Sequence, residues 1–363
     1  MSPSASGPEQ LLAHDPHRRR DPLRDEWVLV SPGRAERPWH GAEEPDGAIE
    51  LEAYDPACSL CPGNTRANGD RNPAYDSTFV FANDFGALRA DSTTESFSDG
   101  LLRAEGERGE CRVVCFSPRH DLSLGAMADD DIRRVVELWA DQTDELGKRY
   151  RWVQVFENRG AGMGASNPHP HGQIWAGSAL PVIGAREAAT QAEHHGRTGR
   201  RLLLDYVAQE SGVERVVDET DHWLAVVPFW AAWPFELLLV PKRPVPTLPA
   251  IAATEREDLA RLLGRVLRDC DALFGRPFPY SMGWHQAPFG AGDADAASVW
   301  QLHAHVYPPL LRGSVRKFLV GYELLAETQR DFTPEEAAAR LRSVRAAGAT
   351  TSSPASAGEG SHG

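Results

Sequence analysis

The chain has 363 residues, a formal charge of −14 and five cysteines. That length allows one large or two ordinary domains. The acidic balance excludes broad nucleic-acid binding, yet a few local arginines can still hold one small phosphorylated ligand.

Residues 1–16 hold too little apolar surface to offset ordering entropy and are expected as a disordered tail. They also lack the apolar core of a signal peptide, and no run approaches the ~20 apolar residues of a membrane helix. The odd cysteine count argues against a disulfide framework. A cytoplasmic protein is therefore expected.

Cys58-Ser59-Leu60-Cys61-Pro62-Gly63 is a C-x-x-C on a tight turn. Both thiolates of such a turn can reach one tetrahedral zinc at ~2.3 Å. The competing readings are a redox pair, which normally opens a helix and is awkward before Pro62-Gly63, or two unrelated thiols. With no second C-x-x-C, His120 and His169 are the natural further ligands.

A weak internal repeat follows. In its first copy, strand Arg112–Phe116 ends in Ser117-Pro118-Arg119-His120. A helix opening at Asp129, Asp130 and Asp131 then carries Ile132, Val135, Leu138 and Trp139 on one face. Strand Trp152–Phe156, a Gly-rich loop and His169-Pro170-His171 complete it. Residues 184–200 are polar and charged and read as a mobile connection.

The second copy runs from Leu237–Val240 through Pro241-Lys242-Arg243. Thr254 and Glu257 read as a capping box for a helix carrying Leu259, Leu262, Leu263 and Val266. Tyr280–Trp284, another loop and His303-Ala304-His305 follow, and residues 346–363 read as a second disordered tail. The expected fold class is α+β: two halves, 17–195 and 196–345, each a mostly antiparallel sheet with packed helices. No dinucleotide-binding or phosphate-loop glycine fingerprint points to a doubly wound sheet.

The stretch from Asn167 to Trp175 carries the chemistry. Pro168 and Pro170 exclude a helix interior, and extended chain puts His169, His171 and Gln173 on one face. If His169 binds metal, His171 is left as a neutral imidazole able to attack phosphorus. A carbonyl accepting its Nδ1–H would fix the tautomer and free Nε2. The loop Asn158–Ser166, with Ser166 and Gln173, could stabilise charge on phosphoryl oxygens. The plainer alternative makes both histidines metal ligands or core residues.

Asn167-Pro168-His169-Pro170-His171-Gly172-Gln173 resembles the active-site signature of the galactose-1-phosphate uridylyltransferase family, a branch of the histidine-triad superfamily. Arg34-Ala35-Glu36-Arg37-Pro38-Trp39, Phe81–Phe85, Phe229–Glu236, Tyr280–His285 and Lys317–Glu323 resemble further family segments, and the likeness spans roughly residues 17–345. It implies two histidine-triad-like halves and a ping-pong reaction in galactose metabolism. His171 would take UMP from UDP-glucose, releasing glucose 1-phosphate, and pass it to galactose 1-phosphate.

By the same resemblance, Gln173, Ser166 and Asn158 lie at the reacting phosphate. Arg34, Asn83 and Asp84, with Arg37 and Phe85 in the same segments, match the nucleotide side. Lys317, Phe318, Val320, Gly321, Tyr322, Glu323 and Gln329 match the sugar-phosphate side, which the partner subunit of a homodimer supplies. Cys58, Cys61, His120 and His169 are implied as zinc ligands. Glu187, His285, His303 and His305 are implied as a second site for Fe2+ or Zn2+. The alternatives are a related histidine-dependent nucleotidyltransferase or phosphorylase acting on another sugar phosphate or a dinucleoside polyphosphate, and a zinc-stabilised nucleotide-binding protein without catalysis.

Overall fold

The computed structural model describes residues 7–38 and 51–351. Trp39 and the outer parts of both expected tails lie outside the described residues. In chain order the first half contains α1 (Pro8–Ala13), β1 (His17–Asp21), β2 (Glu26–Val30), β3 (Phe79–Ala82), β4 (Ser96–Asp99), β5 (Leu102–Glu105), β6 (Gly109–Cys115), α2 (Asp129–Gly147), β7 (Trp152–Arg159), β8 (His171–Gly177) and α3 (Val182–Thr198). Next come α4 (Leu202–Glu210), β9 (Val216–Glu219), β10 (Trp223–Val226), β11 (Leu237–Pro241), α5 (Ala253–Phe274), β12 (Tyr280–His285), α6 (Ala294–Val299) and β13 (His303–Tyr307). The chain ends with β14 (Leu310–Arg312), β15 (Val315–Arg316), α7 (Tyr322–Leu325), β16 (Thr328–Arg330) and α8 (Pro334–Thr351). No helix among the described residues is long and apolar enough to cross a membrane.

The internal repeat is real in space. One nine-stranded sheet runs in the order β3-β6-β8-β7-β12-β13-β11-β10-β9, and every neighbouring pair in it is antiparallel. The trio β6-β8-β7 is mirrored as β12-β13-β11 about the seam where β7 meets β12. The halves therefore share one sheet instead of forming two. Pairing Tyr280–Trp284 with Val155–Arg159 at the seam removes two unpaired strand edges.

The two repeat helices pack on each other over this sheet. Ile132, Val135, Val136 and Trp139 of α2 and Leu259, Leu262, Leu263 and Val266 of α5 join one buried core. Leu138 packs against its margin, half-buried. Trp284 of β12 meets both Trp139 (6.3 Å between centroids) and Trp223 (6.0 Å) under the helices.

Four local expectations are corrected. Residues 184–200 are no loose connection, because α3 covers 182–198 and ends at Gly199 in the left-handed region. Its buried face is polar (Gly184, Glu187, Gln191), so no apolar stripe marks it as a helix. Helix α5 begins at Ala253, and Glu255, not Glu257, accepts the N–H of Ala252 at 2.7 Å. Thr254 is inside the helix, so the hydroxyl half of a capping box is missing. Within the two expected tails, residues 8–13 form α1 and residues 346–351 continue α8.

Candidate functional site

His171 stands at the start of β8, in the centre of the first repeat. Its neighbour Gly172 has no room for a side chain: a Cβ would lie 2.8 Å from Phe116 Cζ and 2.9 Å from the Phe156 carbonyl oxygen. His171 Nδ1 donates to the His169 carbonyl at 2.8 Å, which leaves Nε2 with the lone pair. Burial lowers its pKa, outweighing that hydrogen bond, so the ring is neutral near pH 7.

A small pocket at His171 is lined by Asn158, Gly164, Ala165, Ser166 and Gln173. Gly160 and Gly164, both at φ near +80°, bracket the turn that forms its rim. The Gln173 side-chain carbonyl accepts from Trp175 Nε1 at 3.0 Å and Asn83 Nδ2 at 3.4 Å. With that oxygen engaged, the amide N–H groups are what the side chain can offer a ligand. Ser281 Oγ donates to the Asn158 side-chain oxygen Oδ1 at 2.7 Å, which leaves the amide N–H groups of Asn158 as its donors to a ligand. The pocket thus joins one nucleophilic nitrogen to amide and hydroxyl donors, which suits attack on a phosphorus with charge developing on its oxygens.

Beside Gln173, Asn83 accepts the Phe85 N–H at 2.9 Å, and Asp84 pairs with Arg66 at 3.3 Å. The Phe85 ring is 81% exposed. Arg34 and Arg37 do not join Asn83 and Asp84. They line a separate cleft of about 570 Å³ with Lys317, Phe318, Val320, Tyr322, Glu323 and Gln329. Lys317 Nζ reaches Asp331 at 3.1 Å, Glu323 at 3.2 Å and Gln329 at 3.4 Å, and Arg34 also pairs with Asp331 at 3.1 Å. Asp331 thus anchors both cations, and sequence reasoning missed it. Nothing local marks it, since it lies in the bend just past β16 and meets its partners only in the fold. Gly321 (φ +60) turns the segment between Val320 and Tyr322.

Among the described residues, two clusters can hold metal. In the first, the ligand atoms of Cys58, Cys61, His120 and His169 all lie within 4.8 Å of one another. Cys61 Sγ is 3.7 Å from His120 Nδ1 and 3.5 Å from His169 Nδ1. His169 Nε2 donates to the Ser117 carbonyl at 2.9 Å, so Nδ1 carries the lone pair. Burial pushes the Cys61 thiol up to about 11 and the His169 imidazole down to about 4. A cation is what would draw the thiolate form out of this pocket.

The second cluster is Glu187 of α3 with His285, His303 and His305. Strand register places His285 opposite His303. His303 Nδ1 donates to the Gln301 carbonyl at 2.9 Å, while both ring nitrogens of His305 are buried without a partner. An unpartnered buried imidazole is costly, and a metal ion would satisfy it. Burial alone would raise the Glu187 carboxyl. The charge and hydrogen bonds of His285, at 2.8 Å, and of His303 outweigh it and hold the carboxyl well below its usual range. His303 and His305 were legible as a strand pair, but nothing in the spacing marks Glu187.

A family model described as Galactose-1-phosphate uridyl transferase, N-terminal domain, matches residues 9–181, and its C-terminal counterpart matches residues 187–352. The galactose-1-phosphate uridylyltransferases of Rattus norvegicus and Haemophilus influenzae are each 52% identical to this chain. Those matches cover 90% and 91% of this chain and 87% and 94% of the relatives. A solved uridylyltransferase superposes with a TM-score of 0.71 at 28% identity, over 90% of this chain and 97% of its own. A solved ADP-glucose phosphorylase from Arabidopsis thaliana gives 0.70 at 22% identity over 90% and 99%, a likeness of fold alone.

Proposed function

We propose that this chain, which belongs to the galactose-1-phosphate uridylyltransferase family, carries the uridylyl group on Nε2 of His171. It is a nucleotidyltransferase of galactose metabolism, and its reaction moves UMP between UDP-glucose and galactose 1-phosphate. The observation that carries the mechanism is the hydrogen bond from His171 Nδ1 to the His169 carbonyl, which aims Nε2 at the donor-lined pocket.

In the first half-reaction, Nε2 forms a bond to the α-phosphorus of UDP-glucose. The bond from that phosphorus to the bridging oxygen breaks, and glucose 1-phosphate leaves with the electron pair. The amides of Gln173 and Asn158 and the hydroxyl of Ser166 donate to the non-bridging oxygens. A phosphate oxygen of galactose 1-phosphate then attacks the same phosphorus, giving UDP-galactose and free His171. Asn83, Asp84 and Phe85 border the nucleotide side.

Cys58, Cys61, His120 and His169 form the N/S set that zinc prefers, and Glu187 with three histidines suits Fe2+ or Zn2+. Both metals would serve structure, and the first would fix the His169 segment whose carbonyl orients His171. The halves are taken as 17–195, which bears the nucleophile, and 196–345. The His171 pocket is far smaller than the cleft that holds Arg34, Arg37 and Lys317. By the family resemblance, the active form is a homodimer in which one subunit's cleft closes over the other's pocket. The compartment is the cytoplasm, where unpaired cysteines like these five persist. The test is replacement of His171 by Gly: nucleotide binding survives, while no covalent adduct forms.

A further inference from the structure

Arg24 occupies the turn between β1 and β2, and that turn is held on α3. Thr190 Oγ1 donates to the Leu23 carbonyl at 2.7 Å, and Arg186 pairs with Glu26. The clamp sets the Arg24 guanidinium against the second metal cluster. Its Nε lies 3.6 Å from Glu187 Oε1 and is buried without a hydrogen-bond partner. A terminal nitrogen donates to the Tyr307 hydroxyl at 2.8 Å, and the Tyr307 ring stacks on His305 at 5.2 Å. Arg24 thus touches one ligand carboxylate directly and a ligand imidazole through one ring. The thiol cluster differs: the sulfurs of Cys58 and Cys61 contact Asn167, the Leu60 N–H and the two imidazoles.

We propose that Arg24 is a resident cation of the second metal site, balancing Glu187 when the metal is absent and opposing the metal when it is present. The inference rests on the reading of Glu187, His285, His303 and His305 as a metal site. A fixed positive charge beside a ligand carboxylate repels a divalent ion on that carboxylate, and buried charges are poorly screened. Removing the charge therefore tightens metal binding. An arginine that served only to orient Glu187 would act in the opposite sense, since losing such a partner weakens a metal site by ~10–100-fold. The second metal is then the exchangeable one, and the thiolate-bound metal the permanent one.

The probe is Co2+, titrated into the full-length protein against a competing chelator. Cobalt on thiolates gives a sulfur-to-metal charge-transfer band, whereas cobalt on imidazoles and a carboxylate gives only ligand-field bands, so the two sites are followed separately. Arg24→Met and Arg24→Gln should each tighten the second site by about 10-fold or more, while Arg24→Lys stays close to wild type. The thiolate site should not change. Weaker or unchanged affinity in the neutral variants, or a lysine variant that behaves as they do, overturns the proposal. If one neutral variant does not fold, the other decides. Wild-type protein that binds no cobalt beyond the thiolate site overturns the metal reading itself, and the proposal with it.

Discussion

At His171 and its neighbours, close packing and hydrogen bonding set the chemistry. Gly172→Ala pushes a methyl against the Phe156 carbonyl oxygen, a backbone atom that cannot swing aside. We expect a loss of about 1–3 kcal/mol in urea unfolding, with transferase activity falling as well because His171 is adjacent. Glu157 offers a pH test away from the pocket. Burial lifts its carboxyl to about 7, against the pull of Arg159 and the hydrogen bond from Tyr280 at 3.0 Å. The folded state then holds this proton more tightly than the unfolded state, whose ordinary value is 4.5. Its contribution is therefore complete below pH 4.5 and lost as pH rises through about 7. Relative to Glu157→Gln, wild type should lose about 3 kcal/mol across that window in urea titrations at successive pH values.

Among the elements, the same Pro-turn, helix, strand, loop and His-x-His order serves two ends. In the first repeat, His169 joins the thiols and His171 faces the pocket; in the second, both His303 and His305 turn to the metal cluster. The C-x-x-C turn is required for the first cluster. Replacing Cys58 and Cys61 together by Ser should remove one of two metals per chain in elemental analysis and leave the other bound. These elements were readable because their signals are local: periodic apolar residues on α2 and α5, Pro and Gly at turns, and the His303/His305 pair on extended chain. The expected common face of His169, His171 and Gln173 does not hold, because His169 lies in a bend before β8 and turns to the thiols while His171 and Gln173 face the pocket. Helix α3 was not, because Glu187 and Gln191 are buried by partners distant in sequence and so hide its buried face among polar residues. Arg24 and Asp331 were hidden for the same reason, each acting on a group that only the fold brings near.

For the whole molecule, the proposed homodimer would make assembly part of catalysis. In a two-fold dimer, each His171 would meet the Lys317 side of the other subunit. Mixing inactive His171→Gly chains with inactive Lys317→Ala chains, then allowing subunits to exchange, should restore activity in about a quarter of the sites, because only one site of each mixed dimer is intact. No recovery after confirmed exchange would place both parts of the site in one chain. Fold class and the duplication were legible from the order of elements. The fusion of both halves into one sheet was not, since pairing of β7 with β12 depends on strand edges that no local pattern reports.

The most direct test is transfer of label from UDP-glucose carrying 32P in its α-phosphate, with no acceptor present. We predict an acid-labile UMP adduct on His171, absent from His171→Gly and discharged by galactose 1-phosphate to UDP-galactose. Metal-replete protein that turns over both substrates yet forms no adduct would contradict it.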